Sequence, residues 1–135
     1  MLQVVGVGET ALYVEDLERS SRFYLEVFGF RRISGDSRFV ALRVAPQQVL
    51  LLFKKGGSRE PVKTPGGNIP PHDAEGHLHL AFTISPSDWA EWEALLGTRS
   101  VEIESFVDWG VGKRSLYFRD PDGHLVELAT PGLWD

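Results

Sequence analysis

Two segments of the chain alternate polar or small residues with apolar ones, as β-strands with one buried face do. They are residues 9–14 (ETALYV) and residues 79–84 (HLAFTI). Both segments have Ala in the third position and an apolar residue in the fourth. This similarity predicts that the chain contains two copies of one structural unit.

A helix is predicted after the first of these strands. Asp16 has the residue type of an N-cap, and Gly29 is predicted to follow the last turn. Between them, four large apolar residues recur at helical spacing: Phe23, Tyr24, Val27 and Phe28.

A second helix is predicted after the second strand. Ser85 begins a capping box with Pro86 at the first helical position. Trp89, Trp92 and Leu96 form the apolar stripe of this helix. Gly97 is predicted to end it.

Three strand-like segments follow each helix. They are residues 30–34, 38–44 and 48–54 in the first half, and 101–106, 114–119 and 124–130 in the second. The sequence Asp-Pro-Asp-Gly at 120–123 predicts a turn between the last two. The order βαβββ therefore occurs twice, which predicts an α+β fold. One domain, residues 1–135, would contain a first module at about 4–54 and a second at about 77–131.

The segment between the two modules, residues 55–76, contains four prolines and five glycines and has no visible period. It is predicted to be a long linking loop. Long loops in compact domains are usually lids over functional sites or disordered segments.

Composition excludes several classes of function. The chain has no cysteine, which excludes disulfides, zinc–thiolate sites and cysteine nucleophiles. The net charge of −5 and the absence of a basic cluster argue against nucleic acid and against an acidic membrane surface. No stretch has the pattern of a signal peptide or a transmembrane helix, so a cytoplasmic protein is expected.

Three stretches carry a resemblance to a known family: residues 9–24 with Phe28-Gly29-Phe30, residues 76–82 (GHLHLAF) and residues 115–128 (SLYFRDPDGHLVEL). On these stretches the chain resembles the vicinal oxygen chelate superfamily. That superfamily includes glyoxalase I, the bleomycin-resistance proteins, the fosfomycin-resistance enzymes and the extradiol dioxygenases. The resemblance implies that the sheets of the two βαβββ modules curl into a cup around a divalent metal.

The repeat pairs candidate residues between the modules. Glu9 corresponds to His79 at the start of the first strands, and Leu51 corresponds to Glu127 in the last strands. Three of these four positions therefore hold residue types that bind metals, and the resemblance implies that they face the cup. Glu127 also stands in an apolar strand, where a lone carboxylate is costly unless a metal or an arginine compensates it.

Other interpretations of these residues remain open. Glu127 could face solvent, His79 could be a hydrogen-bonded core histidine, and Glu9 could pair with a Lys or Arg. His72, in the long loop, is either an exposed histidine or a fourth ligand or proton shuttle over the cup.

Two further histidines are interpreted as lying outside the site. His77 is expected at the edge of its strand. His124 follows the glycine of the 120–123 turn and is expected to face solvent.

The resemblance also limits the chemistry. Glyoxalase I uses four protein ligands at these positions, and Leu51 breaks that set. Extradiol dioxygenases and fosfomycin enzymes use two His and one Glu, where this chain would have Glu9, His79 and Glu127. Two carboxylates and one imidazole suit Mn²⁺ or Fe²⁺, while Ni²⁺ and Zn²⁺ also remain candidates.

These observations lead to two main hypotheses of function, beside a third in which the protein is a scaffold or subunit with a vestigial site. The first is a metal-dependent lyase, isomerase or dioxygenase that acts on a small oxygenated molecule, with Tyr13, Leu51, Trp109 and Tyr117 in the substrate pocket. The second is a metal-free protein that sequesters a drug or metabolite in an aromatic cup. By resemblance to small family members, a homodimer is expected.

Overall fold

A computed structural model describes all residues from Met1 to Asp135. The chain divides into two compact units, unit 1 at Met1–Glu75 and unit 2 at Gly76–Asp135. Each unit contains one four-stranded mixed sheet and one α-helix.

Unit 1 contains the predicted βαβββ order. Its elements are β1 (Glu9–Val14), α1 (Leu17–Phe28), β2 (Arg31–Gly35), β3 (Phe39–Ala45) and β4 (Gln48–Lys54). The strand order is β1-β4-β3-β2, with β1 parallel to β4 and the other pairs antiparallel. The helix begins where Asp16 accepts a hydrogen bond from Arg19 N, and Gly29 follows it with φ of 68°. Both helix boundaries were predicted.

Unit 1 also contains a small hairpin that the sequence did not predict. Its strands are β5 (Val62–Thr64) and β6 (Gly67–Ile69). The predicted loop at residues 55–76 therefore contains two short strands. Strands of three residues are too short to show a period in the sequence.

Unit 2 repeats the same order. Its elements are β7 (His79–Thr83), α2 (Trp89–Thr98), β8 (Ile103–Gly110), β9 (Lys113–Arg119) and β10 (Leu125–Ala129), with a single 3₁₀ turn at Pro86–Asp88 before α2. The strand order is β7-β10-β9-β8, and β7 is parallel to β10.

The strand registers agree with the predicted correspondence of the two halves. In unit 1, Ala11 lies opposite Leu51, and in unit 2, Ala81 lies opposite Glu127. Glu9 and His79 are the first residues of the equivalent strands. Leu51 and Glu127 therefore occupy the same position in their sheets.

Alternation divides each sheet into an apolar face and a face that carries the candidate residues. In β9 and β10 the fully buried apolar residues are Leu116, Phe118, Val126 and Leu128. They form two cross-strand pairs, Leu116 with Leu128 and Phe118 with Val126. Ser115, Tyr117 and Glu127 therefore belong to the opposite face.

Three local predictions are wrong. Gly97 does not end α2, which continues to Thr98. Ser85 makes no side-chain cap, since its hydroxyl bonds to that of Ser87 instead. His124 does not face solvent, because the 120–123 turn folds back and buries the ring. There His124 Nδ1 accepts a hydrogen bond from Leu78 N at 2.9 Å.

No helix has the length and hydrophobicity needed to cross a lipid bilayer.

Candidate functional site

His79 and Glu127 lie side by side in unit 2. The distance between His79 Nε2 and Glu127 Oε1 is 3.2 Å. The carboxylate is buried, whereas half of the imidazole is exposed to solvent. The pair therefore combines a carboxylate inside the protein with an imidazole that solvent can reach.

Each member of this pair is fixed by further hydrogen bonds from unit 2. His79 Nδ1 lies 2.9 Å from the Leu125 carbonyl, which can accept but not donate. Ser115 Oγ donates to Glu127 Oε2 at 2.7 Å and accepts from Trp109 Nε1 at 2.9 Å. These contacts orient both side chains through partners that lie behind them.

The bond to Leu125 determines how the imidazole faces Glu127. Because Nδ1 carries the proton that it donates, a neutral His79 has a lone pair on Nε2. This lone pair then faces Glu127 Oε1, which is an acceptor as well. A proton or a metal ion bound between these two acceptors would make the 3.2 Å contact favourable.

The arrangement fits a divalent metal. Two ligands at about 2.1 Å from an ion, with a near-right angle between them, lie about 3 Å from each other. The observed 3.2 Å is close to this value. Metal-binding histidines also commonly donate their second N–H to a backbone carbonyl, as His79 does.

Tyr117 lies on the same sheet face, directly across from Glu127 in the register of β9 and β10. Burial raises the pKa of the Tyr117 hydroxyl, and the negative charge of Glu127 raises it further. The hydroxyl therefore keeps its proton at neutral pH and can act as a donor.

Unit 1 contains a cavity of about 520 Å³, a size typical of small-molecule sites. Glu9, Ala11 and Tyr13 of β1 line it, together with Leu51 and Phe53 of β4. These residues share one face because strand side chains alternate. Further lining comes from Thr10, Arg38, Phe39, Ile69 and His72.

His72 packs inside this cavity. Its Nδ1 lies 2.6 Å from the Tyr13 hydroxyl, and its ring centroid lies 4.5 Å from that of Phe53. Burial and then the charge of Asp73 raise the pKa of Tyr13. The Tyr13 hydroxyl therefore keeps its proton at neutral pH. His72 itself is half-buried in the cavity rather than an exposed loop histidine.

The predicted site residues thus fall into two groups. His79, Glu127, Trp109 and Tyr117 come together in unit 2, and Glu9, Tyr13, Leu51 and His72 line the cavity of unit 1. Within either unit, no group of three or more His, Asp or Glu side chains is arranged to hold an ion.

His77 is exposed and lies against Gly123, where an added Cβ would be 2.8 Å from His77 Nε2.

Sequence reasoning missed Ser115 and Arg38. Ser115 has the same parity as Tyr117 along β9, so alternation could have placed it beside Glu127. Its bond to Trp109 could not have been found in this way, because the β8–β9 register shifts between Asp108 and Gly110.

Comparison with known proteins agrees with this architecture. Metallothiol transferase FosB of Staphylococcus saprophyticus is 43% identical over 133 residues, which cover 98% of this chain and 81% of that protein. The crystal structure of lactoylglutathione lyase from Agrobacterium tumefaciens has 31% identity and a TM-score of 0.87, with 97% of each chain covered.

A more distant structure shares the fold. A mutant of FosX from Listeria monocytogenes, complexed with Mn(II) and 1S,2S-dihydroxypropylphosphonic acid, has a TM-score of 0.71 at 22% identity. The alignment covers 97% of this chain and 94% of FosX. Residues 6–128 match the model of the Glyoxalase/Bleomycin resistance protein/Dioxygenase superfamily. The chain therefore belongs to this superfamily.

Proposed function

We propose that this protein is a divalent-metal-dependent enzyme that acts on a small oxygenated molecule. The observation that carries the proposal is the His79–Glu127 pair, in which Nε2 and Oε1 face each other at 3.2 Å. Supporting contacts from Leu125 and Ser115 hold the pair in the orientation that a metal would require.

The third ligand in this proposal is Glu9, as the repeat predicts from its correspondence with His79. Two carboxylates and one imidazole favour Mn²⁺ or Fe²⁺, with Ni²⁺ and Zn²⁺ also to be tested. Such a metal would supply Lewis-acid stabilisation of negative charge on a substrate oxygen. The protonated hydroxyl of Tyr117 would donate a hydrogen bond to substrate beside Glu127.

The relatives narrow the choice of reaction. The relative at 43% identity is a metallothiol transferase, and the solved structure at 31% identity is a lactoylglutathione lyase. Leu51 removes the fourth protein ligand that glyoxalase I-type sites would have. We therefore favour addition to a small electrophile, with transfer of a thiol as the first reaction to assay, over isomerisation by a four-ligand site.

Binding of a metal should stabilise the protein. Protein purified without a His tag and treated with EDTA would be titrated with Mn²⁺, Fe²⁺, Ni²⁺ and Zn²⁺ in separate thermal-unfolding experiments. At a metal concentration about 100 times Kd, binding adds about 2.7 kcal/mol of stability. This corresponds to a rise in Tm of about 8 °C for a chain of this length. No rise with any of the four ions would contradict the proposal.

A metal-free binding protein is the second candidate. It is favoured by the aromatic cavity of unit 1, where Tyr13 and Phe53 stack at 5.9 Å, because such walls suit sequestration of an apolar ligand. It is also compatible with a protonated His79, which would form an ion pair with Glu127 and need no metal. The metal titration distinguishes the two candidates.

We also propose that the protein is a homodimer. The apolar side chains at the N-terminus (Met1, Leu2, Val4, Val5 and Val7) are largely exposed. They lead into β1, which is an edge strand of its sheet. Exposed apolar side chains and an open strand edge are features that a second copy of the chain can cover.

Light scattering should therefore give twice the mass of one chain. Deletion of residues 2–7 should shift the protein towards the monomer, because it removes most of this exposed apolar surface. A full-length protein that is monomeric at high micromolar concentration would refute the dimer. A deletion variant that stays dimeric would place the interface elsewhere.

A further inference from the structure

Arg38 is a half-buried cation of unit 1 that lacks an acidic partner. Three other cations of this unit, Arg22, Lys55 and Arg59, form ion pairs with carboxylates. Asp36, the nearest acidic residue in sequence, accepts hydrogen bonds from backbone N–H groups rather than from the Arg38 guanidinium. A charge that is partly removed from water without a counter-ion is unfavourable unless a ligand supplies one.

The guanidinium is held in a fixed position at the wall of the cavity. It lies 5.2 Å from the ring centroid of Phe39 and 5.7 Å from that of Phe53. Its Nη1 donates to the hydroxyl of Ser58, a residue that is only 2% exposed. Arginine has five N–H donors in a planar fork, so most of them remain for another acceptor.

Ser58 also ties this arginine to the loop that carries His72. The Ser58 carbonyl accepts a hydrogen bond from His72 N at 2.9 Å. Nearby, Arg59 Nε donates to Asp73 Oδ2 at 2.8 Å, and this bond lowers the pKa of Asp73. The loop therefore holds His72 and Arg38 on walls of the same cavity before any ligand binds.

The remaining walls are mostly apolar, with Tyr13, Leu51, Phe53 and Ile69 among the lining residues. Glu9 is the one acidic residue among the lining residues. An unpaired guanidinium beside aromatic and aliphatic side chains matches a ligand that has one anionic end and an apolar body.

We infer that the cavity of unit 1 binds an oxyanion group, a carboxylate or phosphonate, through Arg38, with the apolar part of the ligand against Phe53 and Leu51. As an assignment of substrate class this inference rests on the proposed metal-dependent function. Anion binding itself is tested in the absence of metal, so that the inference and the proposed function can fail separately.

The probes would be phenylphosphonate, benzoate and the neutral benzyl alcohol, titrated into EDTA-treated protein by calorimetry. We expect both anions to bind at least tenfold more tightly than benzyl alcohol. A comparison of the affinities of the two anions shows which head group is preferred, since the arginine fork can donate two hydrogen bonds to either one. Equal affinity for benzyl alcohol and for both anions would overturn the inference without using any variant.

Arg38→Gln should weaken phenylphosphonate binding at least tenfold, and Arg38→Lys should give an intermediate loss because lysine cannot form the bidentate fork. Arg31→Gln is the matched control, since Arg31 is exposed on β2 and its replacement removes the same charge away from the cavity. Circular dichroism would show that the variants are folded. Equal losses for Arg31→Gln and Arg38→Gln would mean that net charge alone governs binding, which would overturn the inference.

The metal titration of the Arg38→Gln protein separates this inference from the proposed function. We expect its Tm to rise with metal as in the wild type. Anion binding that depends on Arg38 in a protein that binds no metal would leave the cavity assignment standing and reject the metal-dependent enzyme.

Discussion

Glu127→Gln should lower the affinity for a divalent metal more than about 100-fold and should leave the metal-free protein at least as stable as the wild type. Loss of a residue that only orients a ligand typically costs about 10–100-fold in metal affinity, and Glu127 is proposed to be a ligand itself. In the metal-free protein, the new amide group can donate to the lone pair of His79 Nε2, which the carboxylate cannot do. Calorimetric metal titration and thermal unfolding would measure the two effects.

Two variants make this result specific. Glu102→Gln makes the same chemical change at an exposed position of unit 2 and should leave metal affinity unchanged. Ser115→Ala should weaken metal binding by about 10–100-fold, since it removes the hydrogen bond that orients Glu127. A Glu127→Gln protein that is clearly less stable without metal would instead indicate an ion pair between Glu127 and a protonated His79.

Phe118→Ala should reduce the free energy of unfolding of unit 2 by about 4 kcal/mol. The Phe118 side chain is fully buried and lies across from Val126 in the β9–β10 register. Truncation of a buried phenylalanine leaves a cavity and typically costs about 3–5 kcal/mol. This is a large part of the total stability of most proteins, which is about 5–15 kcal/mol.

Urea unfolding followed by tryptophan fluorescence is suited to this measurement. All four tryptophans, at positions 89, 92, 109 and 134, belong to unit 2. Phe106→Ala is the control, because Phe106 on β8 is 57% exposed and should change stability by less than about 1 kcal/mol. Similar losses of unfolding free energy for the two variants would show that burial on the apolar face of β9 and β10 does not govern the stability of unit 2.

The repeat made much of the fold predictable from the sequence. Strand alternation and the two helix patterns gave the βαβββ order in each half, and the parallel β1–β4 and β7–β10 registers confirm the correspondence of Leu51 with Glu127. This worked because a period of two fixes which residues share a face of a sheet.

Features that depend on tertiary contacts were not predictable in this way. His124 follows a turn glycine, which favours exposure, yet Asp120 Oδ1 accepts a hydrogen bond from His124 N and draws the residue inward. The surroundings of His72 could not be predicted from the sequence either. Its position follows from loop contacts with Ser58 and Tyr13, and neither contact has a sequence period.

The contacts that orient His79 and Glu127 come from Leu125 and Ser115, and Trp109 in turn contacts Ser115. All of these residues belong to unit 2. Substitutions among the lining residues of the unit 1 cavity therefore replace none of the residues that make these hydrogen bonds. Leu51 and Ile69 line that cavity, so a library at these two positions, which keeps every partner of the pair, is a natural choice for directed evolution towards a new substrate.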